Sequence, residues 1–337
     1  MKNDLKKLED LASLAGVSIA TVSRALSDSP AVNSATKKRI WQLALANNYP
    51  FRRYTPAGPL GAEATIAIVI PRPQAREPKL SDPFVLELVA AIGEAARERG
   101  CDFLVSHVSP SSHDDLVEVM ETNRADGVIF LGQSGLHEEF NALAENSRKF
   151  VVWGAELPGQ KYCSVGSDNF VGGRRATRHL IRLGRKKIAF LGDTIAPEVM
   201  QRHQGYIEAL RESNIRVEDK LILPTHFDVE SGEASVNELL GENIEFDAIV
   251  AASDMIAIGA IRGLQKSGKS VPKDVSVIGY DDVQFARLSL PALSTISQNV
   301  EKAGKLLVSK LISSGGAADL PSERVPTELI VRDTCGA

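Results

Sequence analysis

The 337-residue chain holds no apolar run near the roughly 18 residues that a membrane-spanning helix requires. Its opening stretch, MKNDLKKLED, lacks the apolar segment of a secretory signal, so the expected compartment is the cytoplasm. Cysteine is scarce: Cys101, Cys163 and Cys335 are odd in number and far apart. That argues against a disulfide framework and gives no metal-ligand spacing, so reduced thiols are expected. The six histidines never fall in H-E-x-x-H, and no G-x-S-x-G stretch occurs. Metalloprotease and serine-hydrolase chemistry therefore have no support, and neither an enzyme nor a cofactor is expected. Low-complexity segments and short repeats are missing too.

One stretch does fit a catalytic pattern. GLQKSGKS, residues 263–270, matches the phosphate-cradling G-x-x-x-x-G-K-[ST]. That motif works only between a strand and the start of a helix, where backbone N–H groups converge on the phosphates. Here MIAIGAIRGLQK reads as a helix running into the glycine, capped by Ser253 or Asp254, and VPKDVSVIG after it reads as a turn and a strand. The order is reversed. No nucleotide site is expected at Lys269.

The net charge of −4 conceals an uneven distribution. Residues 1–54 carry a net +5 and the remainder a net −9. A small basic unit on a large acidic body suits a polyanion-binding module joined to something else. The first fifty residues read as three helices. Leu8, Leu11, Ala12 and Ala15 share one helical face, and Gly16 is suited to a left-handed stop. Ser18 then caps a short helix, IATVSRAL, and Asn33 or Ser34 caps a third, with Ile40, Leu43, Ala44 and Asn47 at helical spacing.

From Thr65 onward the period changes. The apolar runs TIAIVI, DFLVS, GVIFL, KFVVW, KIAFLG, DAIVAA and VSVIG alternate with amphipathic segments such as 83–99, 169–183, 198–212, 229–240 and 254–266. Strand–helix alternation implies parallel sheets covered on both faces. There are too many units for one small sheet, so two doubly wound subdomains are expected, with a ligand in the crevice at the carboxyl ends of their strands. Between head and body, PFRRYTPAGPLGAEA (residues 50–64) holds three prolines and two glycines and reads as a linker.

The run LEDLASLAGVSIATVSRALSDSPAVNSATKKRI resembles the DNA-binding head of the lactose-repressor (LacI/GalR) family. The resemblance continues through SDNFVGGRRATRHLIRLGRKKIAFLGD, ASDMIAIGAIRGLQ, VSVIGYDDVQFARLSLPALSTISQ and VPTELIVRDT, in the family's order. It implies an α/β chain with a three-helix helix-turn-helix head (1–49), the linker (50–64) and a body (65–337) of two subdomains of periplasmic-binding-protein type. The first would take about 65–165 plus 293–323, the second about 166–290 plus 324–337. It also implies an effector-responsive transcription regulator, most often a repressor. Its partners would be double-stranded operator DNA, a small effector such as a sugar, and a second copy of the chain.

Residue by residue, the second helix would enter the major groove from Ser18. Ile19 and Ala20 offer only apolar contacts, for instance to thymine methyls, and Arg24 can make a bidentate contact to guanine. Ser18, Thr21, Ser23, Asn33 and Thr36 can hold phosphates, and Arg52 and Arg53 of the linker can do so by charge. Ser18 and Asn33 equally suit plain helix caps. In the body, Arg202 in MQRHQGY and Asp281 in GYDD match effector-binding family positions. A carboxylate accepts two hydrogen bonds from a vicinal diol, and the two residues equally fit a pair that serves only each other. Phe227 fits either a stacking platform or a core side chain. Asp82, Phe84, Gln133, Trp153 and Asp168 follow strands and are further candidates for the cleft lining. The linker departs from the family. Pro56, Gly58 and Pro59 stand where relatives form a hinge helix, and Leu60 comes about two residues late for the minor-groove leucine, so an extended linker is expected.

Overall fold

The computed structural model describes residues 8–26, 32–46, 64–72, 81–122, 125–313 and 320–337. Arg52, Arg53, Leu60 and most of the expected linker lie outside these. The chain divides into two compact units, Met1–Gly58 and Pro59–Ala337.

In the head, α1 (Leu8–Ala15), α2 (Ile19–Leu26) and α3 (Ser34–Ala46) surround Leu11, Ala12, Ala15, Val22, Ala25, Ile40 and Ala44. Gly16 ends α1 at φ 63°, and Val17 N–H donates back to the Ala12 carbonyl at 3.1 Å. An L side chain disfavours that backbone, and glycine does not. Ser18 Oγ accepts from Thr21 N at 3.1 Å and Asn33 Oδ1 from Thr36 N at 2.8 Å, so both residues cap helices. Arg39 on α3 donates to the Ala15 carbonyl at 2.7 Å, which fixes the end of α1 ahead of the turn into α2.

The body begins with β1 (Thr65–Val69), α4 (Pro83–Arg97), β2 (Asp102–Val105), α5 (His113–Thr122), β3 (Gly127–Leu131), α6 (His137–Asn146), β4 (Phe150–Trp153) and β5 (Ser164–Ser167). It continues with α7 (Asn169–Arg182), β6 (Ile188–Leu191), α8 (Pro197–Glu212), β7 (Ile222–Leu223), α9 (Val229–Gly241), β8 (Ala248–Ala251), α10 (Asp254–Lys266), β9 (Ser276–Asp281) and α11 (Gln284–Leu288). The last elements are β10 (Ser294–Ser297), α12 (Val300–Ser313), β11 (Glu323–Val325) and β12 (Glu328–Ile330). They build two six-stranded sheets, β11-β5-β4-β3-β1-β2 and β12-β10-β9-β8-β6-β7. Among the described residues, every strand pair is parallel except β10–β12. The inner strands are buried along their whole length, as runs such as GVIFL and IAFL require when helices cover both faces.

The chain crosses between the halves three times: after Ser167, after Ser297 and between Val325 and Glu328. Two expected boundaries shift. Ser294–Ser297 pairs with β9 in the second sheet, so the return to the first half comes after Ser297 and not near residue 293. Arg324 and Val325 pair with β5 in the first sheet, so the final crossing follows them. Neither STIS nor ERV is an apolar run, and their register is set by the strands already in place. The stretch 263–270 is a helix end: Gly268 sits at φ 76°, Lys269 N–H donates to the Leu264 carbonyl at 2.9 Å, and a turn leads into β9.

Candidate functional site

Two surfaces carry the chemistry. The first is α2 of the head. Val22 and Ala25 face the core, while Ile19, Ala20, Ser23 and Arg24 stand on the opposite, exposed face. Ile19 remains 47% exposed, which the small core does not require of it. Ser18 Oγ also lies 2.8 Å from Thr21 Oγ1, so the helix begins with a pair of hydroxyls. Thr36 is half-buried in the first turn of α3, beside the cap Asn33. This arrangement presents a helix N-terminus, hydroxyls and one guanidinium on a single face. It suits phosphate and base-edge contacts in a groove.

The second surface lies where strands of both sheets end. Asp168 follows β5 and caps α7, its Oδ1 accepting from Val171 N at 3.1 Å. Asp82 caps α4 in the same way, from Val85 N at 3.1 Å. Asp281 is the last residue of β9 and only 8% exposed. Arg202, on α8, is 5% exposed. Its Nε donates to Asn169 Oδ1 at 2.8 Å, Nη1 donates to the Ala252 carbonyl, and the guanidinium lies 3.7 Å over the Tyr280 ring. Such stacking is favourable for a desolvated cation.

Glycine brings Arg202 there. A Cβ on Gly173 of α7 would stand 2.1 Å from the Arg202 carbonyl oxygen, and one on Gly205 of α8 would stand 2.1 Å from that of Phe170. Only with both glycines can α7 and α8 approach so closely. Tyr206, next to Gly205, is fully buried and donates to the Ile188 carbonyl at 2.8 Å, which fixes the rotation of α8.

Arg202 and Asp281 are not paired only with each other, since each has its own partners. Asp281 Oδ1 accepts from Gln298 Nε2 at 2.5 Å. Its carboxyl is pushed up to about 7, first by burial and then by the negative charge of Asp82, against the lowering effects of Arg202 and Gln298. Asp82 is raised mainly by burial as well. Below them lies Asp254, fully buried at the start of α10. It accepts from Thr295 Oγ1 at 2.5 Å and from Val283 N at 2.9 Å. Burial, and then the neighbouring Asp281, hold Asp254 far above the usual carboxylate range.

The other candidates divide. Phe84 and Trp153 form an aromatic pair with centroids 5.9 Å apart, Phe84 half-buried and Trp153 buried against the first core. Phe227 is 45% exposed and is not a core side chain. Gln133 differs from its expected place as cleft lining. It is fully buried, and its Nε2 donates to the Ala155 carbonyl and the Tyr162 hydroxyl, each at 2.7 Å. It braces the loop after β4 instead of meeting solvent. Asn169, Asp254, Tyr280 and Gln298 were not singled out from the sequence. Asp254 reads there as a helix cap, and a glutamine after a short Ser/Thr strand carries no signal at all. The two halves touch at this end of the sheets: Gln284 N donates to Glu87 Oε1 at 2.8 Å, and Gln201 Nε2 to the Glu156 carbonyl at 3.1 Å.

Residues 7–50 match the model of bacterial regulatory proteins of the lacI family, and residues 177–335 match a periplasmic binding protein-like domain. The HTH-type transcriptional regulator CelR of Thermobifida fusca is 31% identical over 97% of both chains. The chain belongs to the LacI family. The HTH-type transcriptional regulator RegA of Clostridium saccharobutylicum is 31% identical over 97% of this chain and 98% of its own. Among solved structures, a CelR–cellobiose complex superposes with a TM-score of 0.70 at 29% identity, covering 97% of this chain and 99% of that one. A lac repressor dimer bound to operator and the anti-inducer ONPF gives 0.72 at 26%, covering 98% and 99%. These relatives are DNA-binding transcriptional regulators, and this chain shares their helix-turn-helix head and paired parallel-sheet halves. Among the described residues, no helix is long and apolar enough to cross a membrane.

Proposed function

We propose that this LacI-family chain is a sequence-specific repressor whose operator affinity is set by a small sugar bound between the two halves of its body. The observation that carries the reading is the cluster at the strand ends. Asp281, Arg202 and Asp82 converge there from elements far apart in sequence, with Asp168 near Tyr280 and with Phe84 of the Phe84–Trp153 pair two residues from Asp82. Carboxylates accept sugar hydroxyls, and an aromatic face receives the apolar side of a pyranose ring. The groups bind and orient, and no bond-breaking step is assigned to them. The CelR relative binds cellobiose and another solved relative holds ribose, which supports the ligand class.

On the DNA side, Arg24, Ile19 and Ala20 read bases, while Ser18, Thr21, Ser23, Asn33 and Thr36 position the helix on phosphates. Two heads read a palindrome, so the working form is a homodimer. Phe285, Leu288 and Leu290, 54%, 68% and 87% exposed, support a second copy as the cover for that segment. The site of action is the cytoplasm, where the operator is. The test is fluorescence anisotropy of the protein on an operator recovered by selection from random duplexes, with and without a panel of neutral mono- and disaccharides. Specific binding that one sugar weakens at least about tenfold is the expected result. Binding without sequence preference would refute the regulator reading.

A further inference from the structure

The site contains a chain of hydrogen bonds that leaves it sideways. Gln298 is 1% exposed and follows β10 at the second crossing between the halves. Its Nε2 donates to Asp281 Oδ1 at 2.5 Å, and its Oε1 accepts from the hydroxyl of Ser167, the last residue of β5 at the first crossing. Backbone continues the connection: Asp168 N donates to the Val325 carbonyl at 3.0 Å, which ties the first crossing to the third. One side chain thus joins a cleft carboxylate to two of the three crossings, and the backbone takes in the last.

The geometry at Asp281 makes this connection consequential. Asp281 sits at φ 122° and Asp282 at φ 60°, both in backbone regions that favour glycine. Such residues stay in place only when their surroundings hold them. From one side Arg332 holds Asp282 by an ion pair at 2.5 Å, and from the other Gln298 holds Asp281. The crossing itself is also shaped, with Asn299 at φ 50° between Gln298 and α12.

We propose that Gln298 is the positioning residue through which the state of Asp281 reaches the crossings, so that ligand bound at Asp281 changes how the two halves are set. This rests on the reading of Asp281 as a ligand-binding carboxylate. The amide is the one uncharged side chain of this length that offers a donor to a carboxylate and an acceptor to a hydroxyl. Glutamate would set a second negative charge against Asp281. Methionine fills the same space with neither donor nor strong acceptor. The groups that face Asp281 are Asp82 from α4, Arg202 from α8, Asp254 from α10 and Gln298, and its titration reports on all of them.

The test uses the full chain and three readouts. Thermal unfolding of D281N, S167A and the double variant should be non-additive, although no contact joins the two residues directly, and additive in a Q298M background. The carboxyl ¹³C titration midpoint of Asp281 should rise in Q298M, which loses a donor to the charged form, and in Q298E, which adds a like charge. At a concentration of the releasing sugar that saturates the variant, release of the operator by Q298M should fall by about tenfold or more. An additive cycle in the native background, an unmoved midpoint, or full release by Q298M would each overturn the proposal. If no neutral sugar moves the native chain off DNA, the sugar reading fails, and the cycle and the midpoint decide the role of Gln298 without it. Should Q298M not fold, Q298E decides by the same midpoint and release measurements.

Discussion

The head displays its proposed DNA-contacting side chains, and the body hides its proposed sugar-binding ones. Ile19, Ala20, Ser23 and Arg24 are exposed on one helix that a single eight-residue segment creates. Arg202, Asp281, Asp254 and Gln298 are buried, and four elements bring them together. An exposed recognition helix keeps its partner contacts separable from its fold. A buried polar cluster does not: each member is held by the others, so binding and stability are the same set of bonds.

The comparison is sharpest at Arg202. R202A removes donors from Asn169 and the Ala252 carbonyl and leaves Asp281 without its nearest cation. A loss of about 3 kcal/mol in unfolding free energy is expected, together with loss of sugar response. Denaturant titration and anisotropy check the two halves of that statement. A stability change inside about 0.5 kcal/mol would put Arg202 with the head residues and break the contrast.

Next in size is the pH dependence of the body. The Asp281 carboxyl is raised from its ordinary value to about 7. Folding therefore favours the protonated form, a contribution fully present below the unfolded value near 3.8 and lost as pH rises through about 7. Stability should fall between pH 5 and pH 8, and D281N should flatten that slope while abolishing the sugar response. Urea midpoints at the two pH values measure it.

Legibility followed the same division. The head was readable because capping, a left-handed glycine and helical spacing are local rules, and Gly16, Ser18 and Asn33 obey them. The inner strands were readable because burial on both faces demands continuous apolar runs. The short strands SVGS and STIS were not, since each holds a single apolar residue, Val165 or Ile296, among Ser, Thr and Gly. Gln133 and Gln298 show the limit on the site. Both follow strands, yet one braces a loop and the other joins the cleft, and only the packing of distant segments distinguishes them.

Smaller effects belong to the head. R24A should relax base preference at one position of each half-site by about 1–3 kcal/mol, as read by selection of binding sequences. S18A should cost about 1 kcal/mol of head stability, because the cap to Thr21 N is lost. If S18G restores stability but not operator affinity, Ser18 holds a phosphate as well as the helix. The smallest expected effect is none: K269A should leave ATP and GTP binding at the background of the native chain in calorimetry, since α10 ends where a phosphate-binding helix would have to start.

The three crossings also govern the order of assembly on the ribosome. The first sheet takes its edge strand β11 from Glu323–Val325, and α12 covers it from Val300–Ser313. The elements made early therefore wait, with α4 alone on that face of their sheet, until α12 and β11 have been made. The second half has its five strands from β6 to β10 unbroken from Ile188 to Ser297, and it waits only for its edge strand β12 at Glu328–Ile330. Synthesis proceeds from the N-terminus, but neither half closes until the C-terminal strands, β11 and then β12, have been made.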